Sequence, residues 1–157
     1  MNKTTKEIAL QALIAAVYVA ITFVFQSMSF MPQQFRISES MLILVLFNPK
    51  HILGLTLGTI IANSFSTVGL IDIAVGSFAS YVSLWFMVRL KDKYMKYLAP
   101  AVVNGIIVGL MLAIVFELNF VYAMGSVFAS EVLVTFVPWV LIGEKVLKNE
   151  ELKRIFA

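Results

Sequence analysis

The chain has 157 residues, 61% of them hydrophobic and only 13% charged, with a mean hydropathy of +0.93. An ordinary soluble domain is roughly 45–50% apolar and about 25% charged, so a water-soluble fold of this size could not cover so much apolar surface. Cysteine is absent, which excludes disulfides, thiolate metal sites and cysteine nucleophiles, and the net charge of +3 is distributed in a way that argues against nucleic acid.

Six apolar stretches follow one another, at 8–25, 37–47, 52–65, 71–88, 98–118 and 121–142. They are continuously apolar rather than alternating, which predicts an all-α integral membrane protein instead of a barrel. The first stretch is long for a signal-peptide core and lacks a small-x-small exit, so it reads as a retained span. Along it Ala9, Ala12, Ala16 and Ala20 share one side, the last three in four-residue steps, a spacing that lets another helix approach closely. That helix is either a neighbour in the same chain or a partner. The second and third stretches fall short of the roughly 20 residues needed to cross about 30 Å of hydrocarbon. They read as tilted or broken spans, or as one re-entrant hairpin hinged at Asn48-Pro49, where proline lacks an N–H and disfavours helix at the residue before it. The remaining stretches meet or approach a full span. Residues 143–157 form a short tail.

Charge predicts the orientation. With six crossings and both termini cytoplasmic, the inner side receives Lys3, Lys6, Lys50, Arg89, Lys91, Lys93, Lys96, Lys145, Lys148, Lys153 and Arg154, eleven of the twelve basic residues. Arg36 is the exception. A four-crossing arrangement would leave Lys50 at a hairpin tip inside the bilayer. Trp85 and Trp139 fall toward the cytoplasmic ends of their spans and read as interfacial anchors. The segment 89–97, RLKDKYMKY, reads as a solvated loop that meets a partner or anionic lipid.

The remaining polar residues are costly in hydrocarbon and therefore informative. Arg36 and Glu39 open the second span three residues apart, so a helix places them on one face. Asn63 lies near the outer end of the third span and Asp72 at the start of the fourth. Asn104 is deep in the fifth span, and Glu131 lies roughly 15 Å into the sixth at about 1.5 Å per residue. Most of these groups fall in the outer half of the membrane, with no matching carboxylates in the inner half. The pattern describes a pocket open outside and closed below, rather than an ion path across both leaflets. Asp72 reads equally well as a helix cap, Asn63 and Asn104 as interhelical hydrogen-bonding residues, and Glu117 as an interfacial residue. Glu131 has no such ordinary reading, because a lone mid-span carboxylate needs a partner. The single histidine, His51, falls on the opposite side and reads as a helix-end residue. No glycine-rich phosphate loop, nucleophile–base pair or metal-ligand set is present in the sequence, so neither an enzyme, an ATPase nor a resident cofactor is expected.

The stretches QFRISESMLIL (34–44), GLTLGTIIAN (54–63) and GLIDIAVGSFASY (69–81) resemble the QueT family of queuosine-precursor transporters, substrate-binding S-components of energy-coupling factor importers. The alanine steps of the first span resemble the surface by which S-components dock on the shared coupling subunit. The resemblance implies a six-helix protein of the cell membrane that captures a 7-deazaguanine from outside. It also implies three partners, a transmembrane coupling subunit and two cytoplasmic ATPases, and release of the ligand inside driven by ATP. For such a ligand, Glu131 and Glu39 are the expected acceptors for the N–H edge, and a cationic aminomethyl group would favour a second carboxylate. Asn63, Asp72 and Asn104 are expected to support them, with Arg36 orienting Glu39 or meeting the carbonyl. Phe35, Tyr81 and Tyr122 are the candidate aromatic walls, and Ala12, Ala16 and Ala20 the candidate docking face. The alternatives are an S-component for another small vitamin or nucleobase, and a stand-alone carrier.

Overall fold

The computed structural model describes residues 2–30 and 34–157, and among these it contains helices and turns but no strand. Helix α1 spans Lys3–Val24, and α2, Gln26–Ser29, is a single turn. The second apolar stretch is a 3-10 segment, Ile37–Leu46, followed by α3, His51–Asn63. A π turn, Asp72–Gly76, leads into α4, Ser77–Arg89. Helix α5 covers Lys93–Val115. Helix α6, Phe120–Glu131, continues through a second π turn, Val132–Phe136, into α7, Val137–Lys148. The tail is helical as well, in α8, Glu150–Phe156.

Among the described residues three helical stretches are long and apolar enough to cross a bilayer: Lys3–Val24, Lys93–Val115 and the continuous Phe120–Lys148. The short elements have a different geometry from the one expected. Ten residues of 3-10 helix at about 2.0 Å each reach ~20 Å, and thirteen residues of α-helix at about 1.5 Å reach nearly the same length. Both fall short of the roughly 30 Å hydrocarbon layer.

Local sequence explains the boundaries. Asp92, Asn119 and Asn149 cap α5, α6 and α8 by accepting backbone N–H groups from Met95, Tyr122, and Glu151 and Leu152. Helix α5 ends at Val115, and just beyond it the φ of 52° at Glu117 and the Leu118 N–H bond to the Ala113 carbonyl complete a left-handed C-terminal turn. Glu117 is therefore an exposed helix-end residue. Asn48-Pro49 forms the turn into α3, with the Asn48 side chain accepting from the Lys50 N–H at 3.1 Å.

Packing runs α1 on α3, α3 on α4, α4 on α5 and α5 on α6, and the 3-10 segment touches α1, α3, α4, α7 and the second π turn. The three-residue repeat of the 3-10 segment buries Glu39, Leu42 and Val45 in a row. One apolar cluster, including Ile14, Tyr18, Leu42, Leu55, Leu84 and Trp139, is built around it. A second, of Ala79, Val108, Met111, Leu112 and Val127, joins α4, α5 and α6. Trp139 corrects the anchor reading. It is 3% exposed, donates its indole N–H to the Ser40 carbonyl at 3.0 Å and packs edge-on against Tyr97. Trp85 remains on the surface beneath the Arg89 guanidinium.

Several contacts gather one end of the bundle. Lys50 pairs with Glu7, Lys93 with Glu144, and His51 bonds to the Phe156 carbonyl. His51 is the first residue of α3 and is almost fully buried there.

Candidate functional site

Away from that end, four of the expected side chains converge on one small internal space. Arg36, Glu39, Asn104 and Glu131 line it, together with Gln34 and Ser80. Its walls are completed by Gly76, Val108 and Val127, and its volume is about 10 Å³, room for one water. Asn63 and Asp72 abut the same group. The structure thus brings together Arg36, Glu39, Asn63, Asp72, Asn104 and Glu131, all at most 5% exposed.

Arg36 is the only cation among them. Its Nη2 donates to Gln34 Oε1 at 2.7 Å and lies 3.7 Å from Asp72 Oδ2, and its Nη1 lies 3.9 Å from Glu39 Oε1. The face of Phe30 stands 5.8 Å from the guanidinium carbon. Gln34 has a left-handed backbone, with φ of 51°, a conformation uncommon outside glycine. Its bond to Arg36 occupies the side chain that this turn directs inward.

Glu39 receives two donors on one oxygen, Tyr18 Oη at 2.5 Å and Ser80 Oγ at 3.2 Å. Asn63 Nδ2 donates to the Asp72 carbonyl at 3.0 Å and to Ser77 Oγ at 3.2 Å. Gly76 makes this possible, since a Cβ there would collide with Asp72 Oδ1 and lie 2.9 Å from Asn63 Nδ2. Asn104 Nδ2 donates to Glu131 Oε1 at 2.9 Å, bonding α5 to α6.

What these bonds leave over is one-sided. Among the described residues Glu39 Oε2, Asn63 Oδ1, both oxygens of Asp72, Asn104 Oδ1 and Glu131 Oε2 are buried acceptors without a donor, whereas Arg36 Nε is the one buried donor in the cluster left over. Three carboxyl groups face one guanidinium. Chemically the arrangement is an acceptor-rich, anion-rich recess suited to a compact ligand with several N–H donors and a positive charge.

Two expected aromatic walls lie elsewhere. Tyr81 is 44% exposed and Tyr122 57% exposed. Helix α4 buries Ser77, Ser80, Ser83 and Leu84, and Tyr81, one residue beyond Ser80, is rotated about 100° away. Helix α6 buries Ala123, Val127, Ser130 and Glu131, which leaves Tyr122 outside. Phe35 lines a separate apolar groove with Ile37, Trp139 and Pro138. Tyr18, Gln34 and Ser80 belong to the cluster but were not expected. Their signals were weak ones: Tyr18 and Thr22 four residues apart in the first span, and Ser77, Ser80 and Ser83 three apart in the fourth. Among the described residues no three His, Asp or Glu side chains are arranged as metal ligands.

Ala12, Ala16 and Ala20 are exposed on α1, where they line a shallow apolar groove with Val19, Leu57 and Ile61. The inner face of the same helix buries Ile14, Ala15, Tyr18 and Thr22.

A family model described as QueT transporter matches residues 8–146. The queuosine precursor transporter QueT of Lactococcus lactis subsp. cremoris (strain MG1363) is 35% identical over 92 residues, which cover 57% of this chain and 54% of that protein. The match thus spans about half the length of that relative. No solved structure gives a significant match.

Proposed function

The chain belongs to the QueT transporter family, and from that premise we propose that it is the substrate-capturing S-component of an energy-coupling factor importer, binding a 7-deazaguanine precursor of queuosine. Its family and its long apolar helices make it a multi-pass membrane protein. The observation that carries the ligand reading is the excess of buried acceptors around Glu39, Asp72 and Glu131. A deazaguanine presents adjacent N–H donors along its pyrimidine edge, which a carboxylate accepts in pairs. Its aminomethyl form adds an ammonium, which would offset the surplus negative charge. The nitrile form supplies no such charge. The similarity to the Lactococcus queuosine precursor transporter supports the same ligand class.

The site is small as it stands, so a bicyclic base enters only if the walls separate. The two π turns adjoin the cluster and are where such widening is expected. In this reading the chain crosses six times with both termini cytoplasmic and the ligand enters from outside; the contacts of Lys50, Lys93 and His51 at the end away from the cluster support that polarity. The exposed alanine steps of α1 serve, in this reading, as the docking face for a transmembrane coupling subunit, with two ATPases supplying the energy.

Calorimetry on the purified chain tests the reading. Aminomethyl-deazaguanine is expected to bind at sub-micromolar concentration and at least tenfold more tightly than the nitrile. Glu131→Gln is expected to weaken it by more than tenfold. Mass spectrometry of ligand co-purified from a rich lysate identifies the occupant directly, and a different vitamin or nucleobase there would overturn the deazaguanine assignment.

A further inference from the structure

We infer that Tyr18 is a positioning residue of the ligand site, holding one oxygen of Glu39 so that the other is presented to the recess. This inference rests on the proposed binding role of the cluster. Tyr18 is 0% exposed, and its hydroxyl donates to Glu39 Oε1 at 2.5 Å. Ser80 donates to that same oxygen, and Arg36 approaches it at 3.9 Å. Among the described residues Glu39 Oε2 has no donor, and Glu39 lines the recess beside Glu131 and Asn104, whose Oε2 and Oδ1 likewise have none. Two donors on one oxygen hold the orientation of the carboxylate and leave the other oxygen free to accept.

The rest of α1 is arranged to keep the phenol there. Thr22, one turn further, bonds through Oγ1 to Ser38 Oγ at 2.7 Å, so α1 grips the 3-10 segment at Ser38 and Glu39 together. On the other side α3 approaches so closely that a Cβ at Gly58 would lie 2.9 Å from Tyr18 Cβ and 3.2 Å from Ala15 Cα. A bulkier residue at 58 would push α1 outward and withdraw the hydroxyl. Tyr18 thus fixes the separation between α1 and the segment bearing Glu39, while Ala16 and Ala20 occupy the opposite side of its helix.

A double-mutant cycle with Tyr18→Phe and Glu39→Gln tests the assignment, with aminomethyl-deazaguanine as the probe in calorimetry. Tyr18→Phe removes only the hydroxyl and is expected to weaken binding about tenfold, the scale of a hydrogen bond to a charged group. In the Glu39→Gln background the same change is expected to cost less than twofold, because the residue acts through Glu39. Ser80→Ala is expected to show the same dependence on Glu39. Unchanged affinity in Tyr18→Phe, or an equal loss in both backgrounds, would overturn the inference and leave the proposed function standing. A ligand-free readout separates the two further. Tyr18→Phe is expected to shift a carboxyl stretching band in the infrared difference spectrum, and the shift should vanish in Glu39→Gln. If the parent chain binds no deazaguanine, the proposed function fails, and an absent infrared shift would show that the Tyr18–Glu39 link fails as well.

Discussion

Asp72 is entirely buried, yet among the described residues neither of its carboxyl oxygens finds a hydrogen-bond donor, and its nearest compensating charge there is Arg36 at 3.7 Å. Such a group persists only because the guanidinium serves Asp72, Glu39 and Gln34 at once. Removing one partner of a buried charge network costs about 3–5 kcal/mol, because the charges left behind have nothing to offset them. Arg36→Met keeps the length of the side chain and removes the charge, so thermal unfolding in detergent is expected to show a loss of that size. Adding Asp72→Asn to it should recover part of the loss, since one of the stranded carboxylates is gone. The six gathered residues were legible in the sequence for the same physical reason. A charge or amide inside an apolar run is expensive and must have a partner. Tyr81 and Tyr122 were misplaced because an aromatic ring carries no such penalty, and spans that are apolar all round do not reveal which face turns inward. Tyr18 escaped notice on the same grounds, although its hydroxyl is the group that meets Glu39.

Three helices depart from the α pattern, and each carries a carboxylate of the cluster. Glu39 lies in the 3-10 segment, Asp72 opens the first π turn, and Glu131 immediately precedes the second. A 3-10 run beyond three or four residues is uncommon, and π turns are frequent at functional sites because they redirect side chains out of the regular helical phase. Apolar periodicity located the six stretches but could not show this, since the choice among i+3, i+4 and i+5 bonding is made by packing. Gly76 exposes the dependence. A methyl group there would strike Asp72 Oδ1 and crowd Asn63, so Gly76→Ala is expected to cost about 1–3 kcal/mol by overpacking. It should also weaken ligand binding, because the first π turn would shift. At Gly125, on α6, a Cβ meets nothing within 4 Å. Gly125→Ala should therefore leave binding unchanged and raise stability by about 0.5–1 kcal/mol through helix propensity, and chemical unfolding of the two variants side by side distinguishes a packing requirement at Gly76 from the general effect of glycine.

The whole molecule has two ends and two working faces. The ion pairs Glu7–Lys50 and Lys93–Glu144 place the start of α1, the turn before α3, the start of α5 and the end of α7 together. The absence of cysteine makes this polarity easy to test. In intact cells a membrane-impermeant maleimide is expected to label Ser66→Cys and Asn119→Cys, but not Lys50→Cys or Lys148→Cys; the reverse pattern would invert the proposed orientation. The second working face, in the proposed reading, is the outside of α1. Its alanines are exposed while Tyr18 and Thr22, on its inner side, hold the segment bearing Glu39. Ala16→Trp adds a large ring to the groove lined by Ala12, Ala20 and Leu57 without entering the core. Binding of aminomethyl-deazaguanine to the purified variant is expected to stay within about twofold of the parent, whereas ATP-driven uptake in vesicles with the partner subunits should fall below a tenth. Close helix approach depends on small residues at four-residue spacing, and one bulky side chain there separates the backbones. Loss of binding together with uptake would instead make the alanine steps part of the chain's own packing. Intact uptake would show that the partner docks elsewhere.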